Sequence, residues 1–209
     1  QVGVALADAG VHALIEKPLA QDTPASQRLA DVFEDAGLVG AVGHIERYNP
    51  ALQEARRRIE AGEIGRVLQI ATRRQGPFPA RIADVGVVKD LGTHDIDLTQ
   101  WVAQSPYKRV AAQTAFNSGR KFEDMVLITG QLENGIITNH IVNWLSPLKE
   151  RVTVISGELG TFMADTLSAD LTFWANGKVQ SDWSDLAQFR GVTEGDVTRF
   201  AFPKREPLV

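Results

Sequence analysis

Asp90 and His94 stand four residues apart in the run Asp90-Leu91-Gly92-Thr93-His94-Asp95-Ile96-Asp97. A helix opening at Gly92 or Thr93 would leave Asp90 just ahead of it and His94 in its first turn. That spacing can bring a carboxylate to an imidazole. The pair is what a general base needs. An imidazole titrates near neutral pH, and a carboxylate fixes its tautomer and stabilises its protonated form. The positive end of the helix would oppose that protonation, so the two influences partly cancel. The same residues also read as a capping cluster at a helix start, or as a metal site built from His94, Asp95 and Asp97. The single histidine in the run speaks against metal.

Glu16-Lys17-Pro18 is a second candidate. It follows a short apolar run, at the kind of strand end where open α/β sheets bind ligands. Pro18 restricts Lys17 to extended backbone, and a lysine there can reach both a cofactor and a substrate hydroxyl. Taken alone, the segment reads more simply as an exposed lysine after a strand. The third candidate runs from Arg73 to Arg81. Gly76, Pro77 and Pro79 make it a loop leaving a strand, and Arg73, Arg74 and Arg81 suit bidentate contacts to phosphate or carboxylate. A solvated loop is the plain alternative. His140 and Trp144 share one side of a strand by the period of two. They would either line a ligand site or face the core.

The elements that must position these residues follow from pattern and punctuation. Gln1 to Ala9 reads as the end of a helix, stopped by Gly10. His12 to Glu16 reads as a short buried strand. Thr23 is a plausible N-cap with Pro24 behind it, and a helix runs to Ala36 before Gly37. Leu38 to Gly43 is another apolar strand. A second unit starts near His44, with Asn49-Pro50 opening a helix that Gly62 ends. Strands follow at 66–72, 109–116, 124–132, 136–144, 152–156 and 171–174, interrupted by one helix, 93–103. Asn134-Gly135 and Asn176-Gly177 are hairpin signals. The expected fold is α/β: a C-terminal remnant of a Rossmann domain, residues 1–43, followed by an α+β domain, residues 44–209, with a large, mostly antiparallel open sheet.

Composition narrows the classes. The 209 residues are 44% hydrophobic and 23% charged, as in an ordinary soluble globular protein. The net charge of -4 argues against a nucleic-acid partner. Arg56-Arg57-Arg58 is the one dense basic cluster and reads as a solvated helix face. The absence of cysteine excludes a disulfide scaffold and a Cys-ligated zinc site, and fits a cytoplasmic protein. No apolar run reaches the roughly 18 residues that span a bilayer. The N-terminal stretch lacks a basic region and carries Asp8, so it is not read as a signal peptide. A first residue other than Met suggests a fragment or a processed chain.

The motifs IEKPLA (Ile15 to Ala20), GHIERYNPA (Gly43 to Ala51) and the Asp90/His94 pair, in this order, resemble the Gfo/Idh/MocA family, named for glucose–fructose oxidoreductase and inositol dehydrogenase. The segments RRQGPFPARIADVGVVKDLGTHDIDL and NHIVNWLSPLKERV resemble the branch that oxidises the 3-hydroxyl of UDP-N-acetylglucosamine or a related nucleotide sugar. The resemblance implies hydride transfer from a sugar secondary alcohol to NAD or NADP. It implies that Lys17 touches the nicotinamide side and the reacting hydroxyl, that Asp90 orients His94, and that His94 takes the hydroxyl proton. It implies that Glu16, Lys17, Pro18 and Arg47 line the cofactor, and that Arg74, Phe78, Arg81, His140 and Trp144 line the substrate. It further implies a homodimer or homotetramer packed through the open sheet.

Two departures qualify it. The glycine-rich G-x-G-x-x-G phosphate cradle does not occur in the sequence, and Lys89 stands where the branch is usually apolar. Three rivals therefore accompany the nucleotide-sugar dehydrogenase. One is a dehydrogenase of a free sugar or polyol such as inositol. Another is a non-catalytic sugar-binding or assembly protein. The last is a metal-dependent hydrolase built on His94, Asp95 and Asp97.

Overall fold

Gly10 and Gly37 sit at positive φ, 72° and 65°, where a side chain would be strained, and each ends a helix. These two stops divide the first forty residues of the computed structural model into alternating helices and strands. The structure describes residues 2–80, 82, 84–177 and 195–204. It separates into two compact units, Gln1–Ile45 and Glu46–Val209.

In the first unit, α1 (Val2–Asp8) leads through Gly10 to β1 (Ala13–Ile15), and α2 (Thr23–Asp35) leads through Gly37 to β2 (Gly40–Val42). β1 and β2 pair in parallel, Ala13 opposite Gly40 and Ile15 opposite Val42. The N-cap of α2 is Asp22 rather than Thr23: its carboxylate accepts the Ala25 N–H at 2.8 Å. Aspartate holds both the hydrogen bond and a favourable charge at a helix start, so it takes the cap when both residues are available. Both strands are shorter than the apolar runs that contain them. Helix–strand packing is close: a Cβ on Gly3 would stand 3.0 Å from Ile15, and one on Gly40 would stand 3.0 Å from Phe33.

The second unit opens with a tight 3-10 turn, whose Glu46, Arg47 and Tyr48 precede the Asn49 cap of α3 (Pro50–Glu60). Its eight-stranded sheet has the order β10-β9-β8-β7-β3-β6-β5-β4. The strands are β3 (Val67–Pro77), β4 (Tyr107–Ala115), β5 (Met125–Leu132), β6 (Ile137–Asn143), β7 (Leu145–Gly157), β8 (Gly160–Asp165), β9 (Asp170–Ala175) and β10 (Val197–Phe200). Every neighbouring pair is antiparallel except β3 with β6. The sheet is therefore mostly antiparallel, as the sequence predicts. Asn134-Gly135 turns β5 into β6, with Gly135 at φ 90°. Asn176-Gly177 follows β9, and residues 178–194 lie outside the described residues.

One face of the sheet is covered. α3 packs on β8 and β9, and α4 (Thr93–Ala103) packs on β3. Leu52 and Ala55 of α3, Leu98 and Val102 of α4, and Ile70, Ile155, Phe162 and Leu171 of the sheet form the main core. A second cluster, Val87, Val126, Ile128, Val142 and Trp144, lies under the start of the α4 segment. Phe162 is fully buried, and its ring contacts Phe173 and Phe200 at centroid distances of 5.2 Å and 6.2 Å. Phe162→Ala removes the centre of that aromatic group and leaves a cavity. We expect it to cost about 3–5 kcal/mol. Urea unfolding measures the loss, and a cost below about 1 kcal/mol would contradict this packing.

Candidate functional site

α4 begins at Thr93, as the spacing predicts, but it does not start from a loop. A π-helical turn, Val88–Gly92, runs directly into α4, and Gly92 itself has helical dihedrals, φ -60° and ψ -33°. Asp90 and His94 therefore share one continuous helical segment, and Asp90 is not an irregular residue ahead of it. The free N–H groups lie at the start of the π turn, where the Glu123 carboxylate accepts from Val88 N at 3.1 Å and the Glu123 carbonyl accepts from Val87 N at 3.0 Å. A carboxylate there satisfies and neutralises the positive helix end. His94 and Asp90 are both half-buried, and Lys89 between the core residues is exposed.

Beneath this segment lies a buried ion triad. Arg74 projects from the core face of β3, and its side chain is only 4% exposed. Its Nη1 donates to Glu46 Oε1 at 2.8 Å, and its Nε donates to Asp95 Oδ1 at 2.8 Å. The expected loop position of Arg74 is thus corrected: β3 continues to Pro77 across a bulge, and Arg73 and Arg74 are strand residues facing opposite ways. Arg73 is exposed and pairs with Glu150 on the other face. At 4% exposure, with two of its nitrogens bound to Asp95 and Glu46, the Arg74 guanidinium is not presented to a substrate anion. Burial pulls its pKa down, but Asp95 and Glu46 outweigh that and hold it above the ordinary arginine value. Burial likewise pushes Glu46 up, while Arg74, with smaller help from His94 and Arg151, holds it below the usual carboxylate range. Arg151 of β7 stands 3.9 Å from Glu46 and also senses Asp90.

Arg47 is engaged as well. Its Nε donates to Asp97 Oδ2 at 2.8 Å, and its Nη2 bonds the other oxygen. A cofactor-lining role gains no support from that geometry; Arg47 ties the entry turn to α4. With Asp95 on Arg74 and Asp97 on Arg47, both acids of the proposed metal triad are bound by guanidinium groups. Among the described residues no three His, Cys, Asp or Glu side chains gather as a metal site.

The remaining predicted substrate residues separate. His140 is buried at 1% exposure, its Nδ1 at 2.8 Å from Thr72 Oγ1 and its Nε2 at 2.7 Å from Tyr107 Oη. A neutral ring donates from one nitrogen and accepts at the other, and two hydroxyls satisfy both. His140 is therefore a core histidine and not the floor of a sugar site. Trp144 is also buried, edge-on to Phe78 with centroids 5.2 Å apart. Phe78 is exposed on its outer side and carries the Arg120 guanidinium 3.3 Å over its ring. Arg81 lies outside the described residues. The sequence reading missed Glu46, Arg120 and Arg151. Glu46 sits inside the GHIERYNPA motif, but nothing in its spacing pairs it with an arginine 28 residues on.

The buried His140 makes a pH prediction. Burial depresses its pKa below the free value of 6.5, against a smaller upward pull from Asp95. The unfolded chain therefore binds more protons in that range. Stability is full above pH about 6.5 and falls as pH drops from there through the folded value. Thermal midpoints between pH 7.5 and 5 test this. We expect His140→Gln, which keeps hydrogen-bonding capacity but does not titrate, to flatten the slope; an unchanged slope would contradict the assignment.

In the first unit, Glu16-Lys17-Pro18 follows β1, and Gly43 follows β2 alongside it, with Gly43 N donating to the Ile15 carbonyl at 2.8 Å. The Lys17–Pro18 peptide is cis. A Cβ on Gly43 would stand 3.0 Å from the Glu16 carboxyl group, so glycine is what lets that side chain lie across the strand ends. The two adjacent C-terminal strand ends form the edge at which parallel α/β sheets hold ligands.

A two-stranded parallel sheet and an eight-stranded, mostly antiparallel sheet, with Asp90 and His94 on one helical segment of the second unit, define an α/β chain. The chain belongs to the Gfo/Idh/MocA family: the GFO/IDH/MocA C-terminal domain matches residues 52–163, more than half of its length. It is 43% identical over 91 residues to UDP-N-acetylglucosamine 3-dehydrogenase of Acidithiobacillus ferrooxidans, covering 44% of this chain and 28% of that protein. It is 28% identical over 144 residues to inositol 2-dehydrogenase 2 of Saccharopolyspora erythraea, covering 66% and 42%. The solved structure of the Acidithiobacillus ferrooxidans enzyme superposes with a TM-score of 0.82 at 26% identity, over 99% of this chain and 63% of that one. An inositol dehydrogenase homologue from Azotobacter vinelandii, complexed with NADH and myo-inositol, shares the fold at a TM-score of 0.76 and 19% identity, over 85% and 50%. The chain thus spans less than two thirds of each of these relatives.

Proposed function

We propose that the protein carrying this chain is an NAD- or NADP-dependent dehydrogenase acting on a secondary alcohol of a sugar, with the 3-hydroxyl of a UDP-amino sugar as substrate class. The observation that carries the reading is the continuous helical segment bearing Asp90 and His94, whose next residue, Asp95, is pinned beneath it by Arg74. That segment lies in a chain matching a UDP-N-acetylglucosamine 3-dehydrogenase over 99% of its residues. Residues 1–43 are the end of a dinucleotide-binding domain, and residues 44–209 are the substrate domain. The protein works in the cytoplasm as a homodimer or homotetramer.

In this reading the nicotinamide, when bound, accepts the hydride. The strand-end edge is where that group would sit: Glu16, Lys17 and Pro18 follow β1, with the Glu16 carboxyl group lying against Gly43. Lys17 holds the reacting hydroxyl and His94 takes its proton. Asp90 fixes the imidazole tautomer and stabilises its charged form. Phe78, with Arg120 stacked on it, is the remaining described candidate for contact with the sugar or its nucleotide.

A polyol substrate is the second reading, favoured by the inositol dehydrogenase match over 144 residues. A screen of UDP-amino sugars, free sugars and inositols with both cofactors, using the natural protein, separates them. Reduction of cofactor by a UDP-amino sugar is the expected result. Turnover of inositol alone would move the substrate. Cofactor binding without any turnover, or neither, would favour a sugar-binding or assembly role and overturn the enzyme.

A further inference from the structure

Arg74 lies where the elements around His94 meet. β3 carries it, the entry turn supplies Glu46, and α4 supplies Asp95, the residue after His94. All three side chains are nearly inaccessible, at 4%, 9% and 2% exposure. Asp95 Oδ2 has no hydrogen-bond partner among the described residues, so Arg74 is what holds that carboxylate. Arg151 approaches Glu46 from β7, and the field of the cluster reaches both Asp90 and His94.

Filling this space with ions is less favourable than filling it with apolar side chains of similar size. What the ions add is direction. A guanidinium is planar with donors in a rigid fork, so it accepts two carboxylates only in set orientations. Apolar side chains would let α4 slide or roll on β3 with little change in contact. The Arg47–Asp97 pair fastens the same helix to the same turn one residue further along, which restricts rotation about the Arg74 anchor.

We propose that Arg74 is a positioning residue for His94, holding the helical turn that carries the imidazole in the one orientation its fork between Glu46 and Asp95 allows. The activity arm of this proposal rests on the dehydrogenase reading above. Arg74→Lys keeps the charge and loses the fork. In the natural protein it should lower kcat at least about tenfold while the sugar KM stays within about threefold. In the 209-residue chain without cofactor, the His94 imidazole signal, assigned by its loss in His94→Asn, should shift position and titrate differently.

A combined Glu46→Leu, Arg74→Met, Asp95→Leu variant removes all three ions of the triad, and Arg151, 35% exposed, keeps its access to water. It should regain the wild-type thermal midpoint but neither the turnover nor the His94 signal. If Arg74→Lys keeps wild-type turnover and an unmoved His94 signal, or if the apolar combination restores both, the triad is packing alone and the proposal fails. Should Arg74→Lys not fold, the combined variant decides. If the wild-type protein oxidises no sugar or polyol, the dehydrogenase reading fails separately, and the His94 signal still judges the positioning.

Discussion

Arg74→Met is expected to destabilise the second unit by about 3–5 kcal/mol, the range for removing one partner of a buried ion pair. The native pairs themselves add little net stability, because desolvation of three ions offsets their attraction. The loss arises in the variant, where Glu46 and Asp95 stay buried with no cation between them. Among the described residues only Arg151 is near enough to help, at 3.9 Å from Glu46 and partly solvated. Urea unfolding followed by tryptophan fluorescence reads this unit, since all four tryptophans lie beyond residue 100. The pH dependence checks the cause. Glu46 has a folded pKa below its free value of 4.5, so its pairing stabilises the wild type above that value and is lost as pH falls through the lower folded one. The variant has no such pairing to lose. The gap between wild type and variant should therefore narrow as pH falls below about 4.5. A gap under about 1 kcal/mol at pH 7 would show that water or Arg151 compensates the two acids.

Much of the frame was legible because it depends on local punctuation. Asn49-Pro50, Gly62 and Asn134-Gly135 each act within four residues of themselves, and each marks an element boundary in the structure. The strand β8 was not legible. Its inward positions are Gly160, Phe162 and Ala164, and two of the three are too small to register as apolar alternation. Gly160 is small for a tertiary reason: a Cβ there would come within 2.4 Å of the Trp174 carbonyl oxygen. β3 was cut short because Gly76 and Pro77 read as loop residues, yet a bulge lets Pro77 sit opposite Leu145.

The site residues were partly legible for the same reason. Asp90 and His94 are close in sequence and lie on one helical segment, although their spacing could not reveal a π turn. Arg74, His140 and Arg47 each looked suited to ligands because arginine and histidine are rarely spent on a core. Their partners, Glu46, Asp95, Thr72, Tyr107 and Asp97, are 21 to 68 residues away and become visible only in the folded chain.

His94→Ala is expected to lower kcat by about a hundred- to ten-thousandfold, the range for losing a positioned general base. That corresponds to about 3–5 kcal/mol of barrier. The sugar KM should change little, since the proton moves only as the transition state forms. The fold should survive, because His94 is half-buried and the helix beneath it is held by Asp95, Asp97, Leu98 and Val102. A wild-type thermal midpoint with a collapsed kcat is thus the required combination. Lys17→Ala should give a comparable loss if it holds the reacting hydroxyl, and a normal rate in either variant would remove that residue from the chemistry. Asp90→Asn distinguishes orientation from simple proximity. It removes the charge that favours protonated imidazole, so the acidic limb of the kcat/KM profile should move to lower pH. If Asp90 acts through His94, combining Asp90→Asn with His94→Ala should cost no more than His94→Ala alone. Additive losses would instead give Asp90 a task of its own. In that case the helical segment would place two independent groups at the substrate, not a base and the residue that orients it.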